Sequence, residues 1–184
     1  MEKPFSMRLI APLMGCLLLI LPAVLPAQET ATSDAGLISQ LVAAAHETRK
    51  KDLGMAIEQL NMAINLKRKQ QNGSDLELAE FLHTQGGWYY TMQNYLPAVD
   101  CFKESLSIRK ANFGEIHPEI GKSLNNLGLC YAGMTDYSTA IQFYETSIAV
   151  KEACGDTSLA GISTNYFNMG NCSLVSGYKS KIFS

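Results

Sequence analysis

Residues 120–152 read IGKSLNNLGLCYAGMTDYSTAIQFYETSIAVKE, and their spacing decides the fold. In the first half, Leu124, Leu127, Gly128 and Tyr131 recur at i, i+3, i+4 and i+7, the mark of one apolar helical face. In the second half, Ala140, Tyr144, Ser147 and Ile148 repeat that spacing over two turns. Between them Met134-Thr135-Asp136-Tyr137 supplies a tight turn, with Asp136 placed to cap the second helix. Two antiparallel helices therefore pack as a hairpin. Gly128 and Ala140 are the expected point of closest approach, with Tyr131 and Tyr144 filling the space on either side.

The pattern recurs outward in both directions at a period of 42 residues. Gly128 maps back to Gly86 and forward to Gly170. Tyr131 maps to Tyr89, Tyr137 to Tyr95, Ala140 to Ala98, Tyr144 to Phe102 and Ile148 to Leu106. One period earlier stand Ala44, Leu53, Ala56, Leu60 and Ile64, which keep size and polarity but lose the aromatics. A fixed period in this range means a solenoid, in which each unit buries its apolar face on its neighbours. The fold class is thus all-α, a stack of antiparallel helix pairs with about three and a half repeats.

Leu124, Leu127, Gly128, Tyr131, Tyr137, Ala140 and Tyr144 resemble the signature positions of a tetratricopeptide repeat. The extra residues beyond the usual 34 fall in Lys110–Pro118. That insertion, with the following Leu124-Asn125-Asn126-Leu127, is similar to the kinesin-light-chain type of the repeat. The resemblance runs from Leu37 to the C-terminus and implies a right-handed superhelix. The units expected are 37–75, 76–117, 118–160 and an incomplete 161–184. In the first unit a turn is expected at Lys51-Asp52-Leu53-Gly54, with Asp52 as the equivalent of Asp136. In the second, Gln85 stands where the pattern wants Leu127, and Pro97 lies in the first turn of the second helix, where its missing N–H is tolerated. In the fourth, Gly177-Tyr178 arrives one residue early against Asp136-Tyr137, and Ile182 takes the place of the packing Ala.

Ahead of the repeats, Lys3 and Arg8 precede an almost wholly apolar Leu9–Leu25, and Pro26-Ala27 ends the run. Residues 1–27 are read as a signal peptide cleaved after Ala27, followed by a polar linker, 28–36, in which Ser33 or Asp34 caps the first helix. Seventeen residues at about 1.5 Å each fall short of the roughly 30 Å hydrocarbon core, so a membrane anchor is the secondary reading. Leu13-Met14-Gly15-Cys16 looks like a lipoprotein box, but cleavage there leaves an apolar Leu17–Leu25 behind the Cys. The expected address is secreted or periplasmic. Membrane association is expected only through an uncleaved signal or a part of the protein beyond this sequence.

The chain has 15 basic and 17 acidic residues, a net charge of −2. Arg49-Lys50-Lys51 and Lys67-Arg68-Lys69 lie near helix C-termini, where cations suit the helix dipole, and they form no basic face for a nucleic acid. Cys130 and Cys172 occupy equivalent positions beside the packing tyrosines and read as buried thiols, with a disulfide between them as the minor alternative. There is no C-x-x-C, no His pair at ligand spacing and no catalytic or phosphate-loop motif. No metal, cofactor or catalytic activity is expected.

What remains is a surface. The resemblance implies that the first helix of each pair lines a concave face. Its ligand-facing positions map to Glu80, His83, Gly87 and Tyr90, then Lys122, Asn125, Leu129 and Ala132, then Thr164, Phe167, Asn171 and Leu174. His83, Tyr90, Lys122, Asn125, Leu129, Phe167 and Asn171 are the candidate binding residues. Amide groups suit an extended peptide backbone, and Tyr90 and Phe167 suit apolar anchoring. The groove has no basic cluster, so it is not expected to clamp a terminal carboxylate. The expected function is an exported, non-catalytic module for a protein or peptide partner. Two alternatives are the sensor end of a membrane receptor such as a histidine kinase, and a scaffold with no discrete ligand.

Overall fold

The computed structural model describes residues 33–70, 75–155 and 159–177, all within one compact unit, Ser33–Ser184. The expected signal segment, linker residues 28–32 and Ile182 lie outside the described residues. Among the described residues seven helices follow in order: α1 (Asp34–Thr48), α2 (Leu53–Lys69), α3 (Leu76–Thr91), α4 (Tyr95–Phe113), α5 (Pro118–Gly133), α6 (Tyr137–Ala153) and α7 (Leu159–Ser176). Among the described residues there is no strand. Each helix packs on the next, and α5 also touches both α3 and α7. This is an all-α helical repeat.

The helix ends follow from their capping residues. Ser33 accepts a hydrogen bond from Gly36 N, so α1 starts at Asp34, ahead of the expected Leu37. Asp52 accepts from Met55 N at 3.0 Å and Asp136 from Thr139 N at 3.2 Å, as their equivalent positions predict. The α1–α2 connection is Arg49–Asp52, and the expected turn residues Leu53 and Gly54 already belong to α2. His117 caps α5 by accepting from Glu119 N, Pro118 opens that helix, and Phe113 stacks on the His117 ring at 4.0 Å. The insertion loop is thereby a built corner.

Turn geometry explains where the 42-residue count holds and where it slips. Gln93 and Thr135 have φ of 58° and 63°, and Gly177 has φ of 63°. These three positions are successive equivalents, so Gly177 keeps the register of Thr135 and is not an early Asp136. Glycine occupies this left-handed conformation without steric cost. The first unit has no such residue, and its register differs. Ala44, the expected small contact, is exposed, and Ala45 is fully buried in its place.

The core runs along the hairpins. Ala45, Ala56, Ile57, Leu60, Ile64, Leu82 and Trp88 form one cluster; Ala98, Val99, Phe102, Leu127 and Cys130 form a second; Ala140, Ile141, Tyr144, Ile148, Met169 and Cys172 form a third. Within each of the α3–α4 and α5–α6 hairpins the glycine of the first helix faces an aromatic ring of the second. A Cβ on Gly128 would lie 2.5 Å from Cε1 of Tyr144, and one on Gly86 would lie 2.9 Å from Cε1 of Phe102. The glycine is a seat for the aromatic ring of the second helix. Gln85 departs from the Leu pattern without penalty, because it donates to Asn61 Oδ1 at 2.8 Å and accepts from Cys101 Sγ at 3.3 Å.

Candidate functional site

One serine hydrogen bond fixes each of α4 and α6 on the helix before it, and the contact repeats at 42 residues. Ser105 Oγ donates to Ala79 O at 2.7 Å, and Ser147 Oγ donates to Gly121 O at 2.6 Å. Further along, a cation at one register position reaches into the following unit. Lys67 pairs with Asp75 and Glu77, Arg109 with Glu119, and Lys151 donates to Asn165 Oδ1 at 2.7 Å. The Lys67 amine is raised, chiefly by its hydrogen bonds to Glu77 and Asp75. These cations join units, a role beyond the helix-end placement expected of the Lys67 cluster. They hold α3, α5 and α7 side by side.

Arg109 is 3% exposed and organises the junction between the second and third units. It donates to Ser123 Oγ at 2.9 Å and to Glu80 Oε2 at 2.8 Å, and meets His83 Nδ1 at 3.2 Å. His83 Nε2 lies 3.3 Å from Asn126 Nδ2. Burial lowers the His83 pKa, and the Arg109 charge lowers it further against the pull of Glu80 and Glu119. Burial pushes the Glu119 carboxyl up, but Lys122, Arg109 and His83 together hold it below its usual value.

The candidate binding residues therefore divide. His83 is tied into the Arg109 network. Lys122 is exposed and donates to Glu119 at 2.6 Å. Asn125 buries its Oδ1. Tyr90, Leu129 and Asn171, from three successive first helices, line one open cleft of about 190 Å³ together with Tyr137, Tyr144 and Asn168. A smaller hollow of about 70 Å³ adjoins it, between Gly87, Tyr90, Phe102, Asn126 and Leu129. On α7, Phe167 is 69% exposed and Leu174 82% exposed, on the same helical stripe as Asn171. Tyr90 is braced by the Tyr95 ring at 5.7 Å, and a Cβ on Gly133 would lie 2.5 Å from the same Tyr95 ring.

Tyr137, Tyr144 and Asn168 are cleft residues that the sequence reading did not assign to binding. The repeat pattern makes Tyr144 a packing residue, and its ring does pack on Gly128. Its hydroxyl was invisible to a pattern that treats Tyr144 and Phe102 as equivalent. Among the described residues no group of His, Cys, Asp and Glu is arranged to hold a metal ion, and no helix is long and apolar enough to cross a membrane. Cys101, Cys130, Cys154 and Cys172 form no disulfide. Burial pushes the Cys130 thiol up to about 12, as expected of a thiol used for packing.

This arrangement defines a helical-hairpin repeat protein with an open cleft on its first-helix face. Residues 77–153, which span most of α3 through α6, match the tetratricopeptide repeat family model. The fold is similar to BtubC (BKLC) from P. vanneervenii, at 19% identity and a TM-score of 0.70, covering 78% of this chain and 58% of that one. It is similar to a putative kinesin light chain with nearly identical TPR-like repeats from Podosopora anserina, at 13% identity and a TM-score of 0.68, covering 80% and 71%. It is also similar to aspartyl phosphate phosphatase F from Bacillus subtilis, at 18% identity and a TM-score of 0.63, covering 77% and 37%. These identities establish shared fold alone. The chain spans just over half the length of BtubC and about a third of the phosphatase. No curated protein sequence matches it.

Proposed function

We propose that this chain is a non-catalytic interaction module, exported from the cytoplasm, that holds an extended peptide segment of a partner protein along α3, α5 and α7. The observation that carries the reading is the cleft shared by Tyr90, Leu129 and Asn171, with Phe167 exposed one turn before Asn171 on α7. Buried aromatic walls supply apolar contact area, and side-chain amides supply hydrogen bonds to a peptide backbone. The export half rests on the Lys3, Arg8 and Leu9–Leu25 pattern.

The test is selection of random peptides on the full chain, followed by binding to a Tyr90→Ala, Phe167→Ala, Asn171→Ala variant. The variant is expected to lose at least tenfold in affinity. Retention of every selected peptide at wild-type affinity overturns the groove reading. Secretion with Gln28 as the new N-terminus is expected for the export half, and retention of residues 1–27 in a cytoplasmic product overturns it.

A further inference from the structure

The helices α3, α5 and α7 carry a glycine at the same register position, and two of the three glycines are covered by a ring. The Phe102 ring of α4 sits on Gly86, and the Tyr144 ring of α6 sits on Gly128. Gly170 is the third, and a Cβ added there would meet nothing within 4 Å. The position one turn earlier changes in the same way. Leu82 and Leu124 are 2% and 6% exposed, whereas Tyr166, their equivalent on α7, is 44% exposed. Met169 and Cys172, on the neighbouring side of α7, are buried in the cluster with Ala140, Ile141, Tyr144 and Ile148 of α6. Among the described residues α7 therefore packs on α5 and α6, and is bare on the side where α3 carries α4 and α5 carries α6.

That bare face is complementary to itself. Tyr166 and Gly170 stand four residues apart, so the exposed ring and the empty seat are neighbours on one face of α7. In the α5–α6 hairpin the same face pairs in an antiparallel register, with Gly128 against Tyr144 and Gly121 against Lys151. A second α7 laid on the first in that sense, with a two-fold axis at the level of Asn168, brings each Tyr166 opposite the Gly170 of the other copy. Leu159–Ser176 holds no Asp, Glu, Lys or Arg, so two copies of α7 meet without like-charge repulsion. Phe167 and Asn171 lie on a different stripe of the helix and stay outside the pairing.

We infer that a second copy of this chain covers α7, in a two-fold dimer in which each Tyr166 ring seats on the Gly170 of the other copy as Tyr144 seats on Gly128. One face of an 18-residue helix, about 27 Å long and about 10 Å wide, falls short of the roughly 800 Å² per partner of a standard interface, so the dimer is weak and reversible. The dimer goes beyond the peptide-groove reading and does not depend on it.

Sedimentation equilibrium of the full chain between about 1 and 300 μM tests this, with Tyr166→Ala and Gly170→Ala measured alone and mixed. Wild type is expected to pass from monomer to dimer across that range, and each variant alone to associate about tenfold more weakly. Circular dichroism at about 1 μM, where the chain is monomeric, is expected to show no loss of helix in Gly170→Ala, because Ala favours a helix over Gly. The mixture tests the reciprocal contact. A Tyr166→Ala copy keeps its seat and a Gly170→Ala copy keeps its ring, so the mixed dimer regains one ring-on-glycine contact and forms more tightly than either variant with itself. A monomer at every concentration, as when residues 178–184 of the same chain cover Gly170, overturns the inference. Association that ignores both variants, as when residues 1–27 drive it, overturns it as well, and so does a mixture no tighter than its components.

Discussion

Three glycines one period apart make opposite predictions for the same substitution. In Gly128→Ala the new Cβ would stand 2.5, 2.7 and 3.0 Å from Cε1, Cδ1 and Cζ of Tyr144. That ring is fully buried, so it cannot swing away without moving the core around it. Overpacking of this kind costs about 1–3 kcal/mol, and the better helix propensity of Ala returns about 1 kcal/mol. Gly128→Ala is therefore net destabilising, by up to about 2 kcal/mol. In Gly86→Ala the nearest atom is Phe102 Cε1 at 2.9 Å, so the strain is smaller and the net effect about 0–1 kcal/mol destabilising. At Gly170 nothing lies within 4 Å, and Gly170→Ala keeps only the propensity gain, a stabilisation of about 0.5–1 kcal/mol. Urea unfolding by circular dichroism measures the three, with the midpoint read at unchanged m-value. Gly128→Ala matching or exceeding wild type, or Gly170→Ala falling below Gly128→Ala, would refute the idea that each glycine seats the ring of its own second helix.

His83→Gln tests the Arg109 network through pH. With its pKa lowered from 6.5, His83 binds fewer protons in the folded than in the unfolded state, so its contribution is complete above about pH 6.5 and is lost as pH falls toward the folded value. The wild-type urea midpoint should fall on acidification through that window, and the variant should lose that part of the slope. Glu119, also depressed, acts with the same sign at lower pH, from its usual 4.5 downward. Ser147→Ala should cost about 1 kcal/mol in the same unfolding assay by leaving Gly121 O without its donor. Tyr144→Phe should leave the unliganded midpoint unchanged or slightly raised, because the hydroxyl it removes has no partner; a loss above about 1 kcal/mol would mean that the hydroxyl is already satisfied.

Helix placement was legible because apolar spacing and capping residues act locally. Asp52 and Asp136 each bond a backbone N–H three residues ahead, and no tertiary information is needed to see them. The repeat register was legible wherever the turn kept its left-handed residue, and it slipped in the first unit, where that residue is absent. The polar staples were not legible. Ser105 and Ser147 recur at the 42-residue period, but their carbonyl partners lie on the preceding helix and show only once the helices are packed. His83 sits at a groove position by count, yet an arginine 26 residues away draws it into a buried network. The cleft was half legible: Tyr90, Leu129 and Asn171 follow from register, whereas Tyr144 and Asn168 depend on which polar atoms find partners, a property of packed side chains.

The central claim is that the α3, α5 and α7 face is the binding face. Backbone amide shifts of the full chain, recorded with and without a peptide selected on it, test this most directly. The account predicts shifts concentrated around Tyr90, Leu129, Phe167 and Asn171. Shifts concentrated instead on the exposed residues of α2, α4 and α6 would contradict it.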